Sequence, residues 1–165
     1  MSPVVRLARP TEFAEIGELT VEVYRALRGS SLGEYEVELR DVARRAEGAD
    51  VFVAVDETGA LLGSVAFATF GSEYAEQAEP GEAVFRMLAV ASVARGQGVG
   101  EALVQACVDR ARALRLCRLR LSTQAIMRDA HRLYERMGFV RTPENDWTVR
   151  PGIDLMTYAL DLTER

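Results

Sequence analysis

A chain of 165 residues, 48% of them apolar, is long enough for one sizeable core and short for two. A formal charge of −5 excludes a nucleic-acid binder that relies on general electrostatics. No apolar run approaches the length that spans a bilayer, and Met1-Ser2-Pro3 leads directly into an alternating strand pattern with no resemblance to a signal peptide, so the expectation is a cytoplasmic protein without a membrane partner.

In chain order, Val4–Ala8 alternates as a first strand that Pro10 ends. Thr11 is placed to cap a helix running to about Arg28, with Phe13, Ile16, Leu19, Val23 and Leu27 on its apolar face. Gly29-Ser30-Ser31 breaks that helix, and a second runs from about Glu34 to Ala46, stopped by Gly48. Val51–Val55 and Leu61–Thr69 read as a hairpin around a glycine-bearing turn. Gly71–Gly81 is acidic and rich in breakers, an exposed loop. Glu82–Val90 is the next strand, followed by a helix from Glu101 to about Leu116 and a strand over Arg118–Ser122. Beyond Phe139 come a short strand, an irregular segment Thr142–Gly152, and a last strand near Ile153–Leu160. Cys107 and Cys117 read as reduced small hydrophobes. No repeat, low-complexity tract or dividing linker interrupts the chain.

The most informative stretch is Arg95-Gly96-Gln97-Gly98-Val99-Gly100, between the apolar run Met87-Leu88-Ala89-Val90 and a helix. A strand that turns through glycines into a helix N-terminus presents backbone N–H groups with no intrahelical partner, and the helix dipole favours an anion there. A Walker loop requires Gly-Lys-Ser/Thr at its end, but Glu101-Ala102 follows Gly100. A dinucleotide fingerprint requires glycine three residues after Gly98, and that position is Glu101. Both nucleotide readings fail on spacing.

Arg95-x-x-Gly98-x-Gly100 resembles the acyl-CoA pyrophosphate signature of the GNAT (N-acetyltransferase) superfamily. Ala130-His131-Arg132-Leu133-Tyr134-Glu135-Arg136-Met137-Gly138-Phe139 resembles its second signature, a helix ending in Leu-Tyr-Glu-x-x-Gly-Phe. The two occur in the family's order and spacing. The resemblance implies one N-acetyltransferase domain over residues 1–165, an α/β (α+β) GNAT-like fold. Its mixed, mostly antiparallel sheet has about seven strands, with helices on both faces and strands four and five splayed to admit acyl-CoA. The pantetheine arm would run along Leu88, Ala89 and Val90 as strand addition does. The pyrophosphate would reach Gly96, Gln97, Gly98, Val99 and Gly100. Arg95 is then a contact near the phosphates, or else a solvated loop cation.

The implied reaction moves an acetyl group from acetyl-CoA, as co-substrate, to a primary amine of a small molecule or peptide by direct attack in a ternary complex. Tyr134 matches the family tyrosine whose hydroxyl points at the CoA sulfur, which makes it the general acid; otherwise it is a buried aromatic packing with Leu133 and Met137. Glu82, at the start of strand four, either takes the ammonium proton or is a solvated strand-end carboxylate. Alternation would put it on one face with Val84, Arg86, Leu88 and Val90. Many relatives with an acidic base carry it two residues later, where this chain has Val84. Glu73, Glu76 and Glu79 are suited to attracting a cationic substrate.

Met127 replaces an asparagine that often bonds the cofactor arm seven residues before the tyrosine, and Gln124 is a substitute candidate. His131 reads as a helix-surface histidine, with no metal-ligand cluster around it and hence no expected metal. The arginines at 110, 112, 115, 118 and 120 read as an exposed helix face and a strand edge. Acceptor specificity would lie in Gly29–Glu34, Phe70–Gly81 and Thr142–Gly152, where Trp147 either lines the pocket or anchors the loop. Homodimers are common in the superfamily and are therefore among the implied assemblies. The alternative function is a CoA-binding module, catalytically weak or inactive, that acts as a sensor or interaction partner.

Overall fold

Period-two runs rich in Val, Ala and Phe build the strands, and the turns between them set their order. The computed structural model describes residues 2–29 and 32–163. β1 (Val4–Leu7), β2 (Asp50–Val55), β3 (Leu61–Thr69) and β4 (Glu82–Val90) pair antiparallel in succession. β5 (Arg118–Thr123) joins β4 in parallel, and β8 (Ile153–Asp161) lies antiparallel to β5. β6 (Val140–Arg141) ends the sheet, whose order is β1-β2-β3-β4-β5-β8-β6; β7 (Trp147–Arg150) forms a hairpin with β8. The observed sheet thus has eight strands among the described residues, one more than expected, because the segment read as irregular contains β7.

Helices cover both faces. α1 (Phe13–Arg28), α2 (Tyr35–Arg40) and α3 (Val42–Gly48) lie on one side, where Ile16, Val21, Leu39 and Val42 pack with Val51, Val53, Met87 and Ala89. α4 (Val99–Ala113) and α5 (Arg128–Arg136) lie on the other, joining Leu103, Cys107 and Tyr134 to Val65, Phe67, Phe85 and Leu121. Among the described residues no helix is long and apolar enough to cross a membrane.

Several local expectations are revised. Thr11 lies in a 3-10 turn, and Glu12 fixes the helix entrance instead, accepting from the Arg9 amide at 2.7 Å and pairing with Arg6 at 2.7 Å. Ser30 and Ser31, read as part of the break after α1, lie outside the described residues. The single helix expected over Glu34–Ala46 is two, because the Asp41 side chain accepts from the Arg44 amide at 3.2 Å and starts a new helix there. The segment Gly71–Gly81 is not wholly exposed: Tyr74, Ala75 and Ala78 are buried against Ala68 and Val84. β5 is an interior strand and not an edge, so Arg118 and Arg120 turn to a partner inside the sheet, while Arg110 on α4 pairs with Asp50.

Candidate active site

The parallel pairing of β4 with β5 covers only Glu82–Phe85 against Arg118–Leu121. Beyond Phe85 the two strands no longer pair, while β4 continues along β3 to Val90 and β5 continues along β8 to Thr123. The sheet is therefore open at its centre. The cause lies partly in β4 itself. Met87 has a positive φ of 59°, and the register with β3 shifts between Ser64 and Ala66, so an extra residue bends the strand away from β5.

This bulge also resets the alternation. Glu82, Val84 and Arg86 do not share a face with Leu88 and Val90 as simple alternation predicts. Met87 and Ala89 pack into the α1 layer, whereas Leu88 and Val90 pack into the α4 core. The Ala91 amide donates to Leu62 O at 2.8 Å on the β3 side. Successive residues of a strand direct their amides to opposite edges. Leu88 and Val90 thus direct their N–H groups into the gap, and Ala89 between them directs its own toward β3.

The glycine turn lies where β4 ends. Gly96 and Gly98 have φ of 76° and 80°, conformations that L side chains disfavour, and Gly98 is the N-cap of α4. A Cβ on either would meet no protein atom within 4 Å, so the turn opens outward. The first helical hydrogen bond is Ala102 N–H to Gly98 O at 3.0 Å. Among the described residues, the amides of Gly96, Gln97, Gly98, Val99, Gly100 and Glu101 have no hydrogen-bond partner. Gln97 steadies the loop through Nε2 donating to Val93 O at 3.2 Å. Arg95 is exposed and makes no ion pair among the described residues. Six free amides at the positive end of a helix fit a pyrophosphate, and the outward amides of Leu88 and Val90 fit the amides of a pantetheine arm.

α5 packs Tyr134 against Phe85, the last residue of β4 that pairs with β5. Its ring lies edge-on to Phe85 at 5.7 Å and to Tyr158 at 5.9 Å, and it leans on Phe139 at 6.0 Å. The residue is 5% exposed, and its hydroxyl has no hydrogen-bond partner among the described residues. Burial pushes its pKa up, with smaller contributions from Cys107 and Tyr158, so it stays a neutral, protonated phenol. His131, expected on the helix surface, turns inward: Nε2 lies 3.0 Å from Gln124 O and 3.3 Å from Thr123 Oγ1.

Glu82 sits at the closed end of the wedge, opposite Arg118. It is 3% exposed. Its carboxylate accepts from Arg118 at 2.7 Å, from Arg120 at 2.7 and 3.2 Å, and from the Glu79 amide at 2.9 Å. Burial pushes its pKa up, but Arg120, the Glu79 amide and Arg118 outweigh that and hold the carboxyl below its ordinary range. These contacts occupy most of its lone pairs, which suits a clamp between β4 and β5 better than a proton acceptor.

On the α1 side the gap widens into a cavity of about 840 Å³. Val84, Arg86 and Met87 form its β4 wall, Ser122 and Thr123 its β5 wall, and Gln124 and Met127 line it from the loop before α5. Trp147 both lines this cavity and anchors its hairpin, with Nε1 donating to Ser122 Oγ at 3.0 Å. Glu73 and Glu76 reach its rim, Glu73 pairing with Arg44 at 3.1 Å, whereas Glu79 serves Glu82 through its backbone. Sequence reasoning missed Arg86 and Ser122 because nothing in their neighbours marks them; the bulge and the hairpin bring them to the cavity. Among the described residues no group of His, Cys, Asp and Glu is arranged to hold a metal.

Comparisons agree with this geometry. An acetyltransferase of the GNAT family from Staphylococcus aureus Mu50 superposes with a TM-score of 0.78 at 13% identity, over 98% of this chain and 99% of that one. A GNAT superfamily phosphinothricin acetyltransferase from Sinorhizobium meliloti, solved in complex with AcCoA, gives 0.71 at 21% identity over 98% and 89%. The ribosomal-protein-alanine N-acetyltransferase of Brucella melitensis gives 0.68 at 20% identity over 96% and 99%. No curated protein sequence matches. The family described as acetyltransferase (GNAT) is matched over residues 14–139, which takes in α1, the bulged β4, the glycine turn and Tyr134. The chain belongs to the acetyltransferase (GNAT) family.

Proposed function

We propose that this protein is an N-acetyltransferase that moves the acetyl group of acetyl-CoA directly to a primary amine held in the 840 Å³ cavity. What supports the reading is the opening between β4 and β5, with free amides along one wall, and the packing of Tyr134 against Phe85, where the two strands part. Acetyl-CoA would supply the activated carbonyl and the sulfur leaving group. Arg95 and the amides of Gly96–Gly100 bind the pyrophosphate, and Leu88 and Val90 align the arm. One of those strand amides is placed to bind the charge that develops on the carbonyl oxygen. Tyr134 gives its proton to the departing sulfur. Glu82 holds the closed end of the wedge, and the ammonium proton leaves into the cavity, whose rim is acidic.

The occupied carboxylate of Glu82 favours one other reading, a CoA-binding module without efficient chemistry. Acetyl-CoA turnover against a panel of primary amines, read as thiol release, separates the two. The chain contains no lysine, so its own side chains contribute no background acceptor amine. Thiol release with at least one amine, absent without it, is expected. Tight acetyl-CoA binding with no release in any amine would establish the non-catalytic module.

A further inference from the structure

Two arginines, Arg45 and Arg86, lie at the inner side of the acceptor cavity, and of the two only Arg86 forms an ion pair among the described residues. Arg45 is 2% exposed and has no carboxylate partner among the described residues. Its Nη1 and Nη2 donate to Glu38 O at 3.1 Å and Leu39 O at 3.2 Å, the last carbonyls of α2, and its Nε is unpartnered. Arg86 lies close enough for the two cations to repel. Arg86 itself faces the cavity from β4, stacked over the Tyr74 ring at 5.8 Å, hydrogen-bonded with the Tyr35 side chain, and with one distant ion pair to Glu38 at 3.4 Å. The carboxylate that Arg86 pairs with is 41% exposed, and Arg45 meets Glu38 only at its backbone carbonyl.

We propose that Arg86 binds a carboxylate on the acceptor, and that the acceptors are α-amino acids with apolar side chains. This specifies the substrate of the transfer proposed above and rests on it. Arg86 stands two residues before Leu88, whose amide faces the gap; at about 3.3 Å per residue their Cα atoms lie within about 7 Å, less across a bulge. An amine at the gap and a carboxylate on Arg86 are thus within reach of a molecule whose two groups share one carbon. A guanidinium grips such a carboxylate with two parallel hydrogen bonds. The cavity also has an apolar lining, formed by Leu32, Met127, Trp147, Val149, Ile153 and Leu155, which matches an apolar side chain. The other carboxylates of the cavity, on Glu34, Asp41, Glu73 and Glu76, are exposed at its rim, where water and salt screen them.

The test compares leucine, methionine and phenylalanine with their amides and with the amines that lack the carboxyl group. Acetyl transfer by the purified protein should favour at least one acid over both its analogues by about 10- to 100-fold in kcat/KM, mostly through KM. Arg86→Gln should erase that preference, and Arg86→Lys should restore part of it. Equal or better use of the amides and amines would overturn the proposal while leaving acetyl transfer intact. If acetyl-CoA binds but nothing is acetylated, the transfer reading fails, and calorimetry on the CoA-loaded wild type decides the site. Tighter binding of an acid than of its amide would support the carboxylate site; equal or undetectable binding of the acids would overturn it. The ligand comparison on the wild type does not depend on either variant folding.

Discussion

Gly100 and Leu133 meet across the two helices that carry the site: a Cβ built on Gly100 would lie 3.4 Å from Leu133 Cδ2 and 3.7 Å from Val90 Cγ2. Two motifs more than thirty residues apart therefore touch each other and the end of β4. The contact couples the glycine turn to the helix that holds Tyr134. Arg136 and Glu101, 3.5 Å apart, link the same two helices at the surface.

Gly98→Asp should lower acetyl-CoA affinity by at least 10-fold, measured by calorimetry. A side chain there meets no protein atom, so its effects are the cost of a left-handed residue, about 1 kcal/mol, and a negative charge in front of the free amides. Asparagine tolerates that backbone and carries no charge, so Gly98→Asn should lose less. Equal affinity for wild type and Gly98→Asp would remove the turn from the CoA site.

Tyr134→Phe should slow the single-turnover rate by about 10²–10⁴-fold and leave acetyl-CoA affinity nearly unchanged. The hydroxyl has no hydrogen-bond partner among the described residues, so its loss strands no group, and the ring contacts with Phe85, Phe139 and Tyr158 survive. An unaltered rate would show that the sulfur leaves without this proton.

Glu82→Gln should cost about 2–3 kcal/mol, between an exposed and a fully buried ion pair, seen as a lower urea midpoint at neutral pH. The folded pKa lies below its ordinary 4.5. The wild type's advantage is therefore full above about pH 4.5 and is lost as pH falls through the folded value. Below that window the two proteins should converge. The same variant examines the base: pH–rate profiles of the same shape are expected, and a selective loss of rate near neutrality that recovers at high pH would return the proton to Glu82.

Gly63→Ala should destabilise the protein by about 1–3 kcal/mol and weaken acetyl-CoA binding together. The new methyl would lie 2.8 Å from Ala89 O and 3.0 Å from Leu103 Cδ1, forcing β4 to move where it borders the gap. A melting temperature within error of the wild type would mean that β4 has slack at this point.

Much of the site could be read before any fold was known, because local chemistry demands it. Glycines at 96 and 98 supply the positive φ of the turn, and Leu133, Tyr134 and Phe139 stand out through their resemblance to the second motif. Thr11 and Asp41 were harder to read, since either kind of side chain can cap a helix or lie in a turn, and only the surrounding packing chooses.

By itself the sequence determined the order of most strands and helices, the glycine turn before α4, the family resemblance and the helix that carries Tyr134. The elements follow from periodicity, the turn from glycines that admit a positive φ, and the family and Tyr134 from the resemblance of the two motifs. Tertiary structure alone decided which partners Glu82, Arg86 and Trp147 meet. Glu82 reads as a free carboxylate until β5 is placed beside β4 and brings Arg118 and Arg120 to it. Arg86 reads as an ordinary strand cation until the bulge at Met87 changes which side chains share its face. Trp147 becomes a wall of the cavity only when β7 folds back on β8 and its indole reaches Ser122. Each of these roles depends on a partner distant in the chain, and a side chain's charge or size does not specify who that partner is.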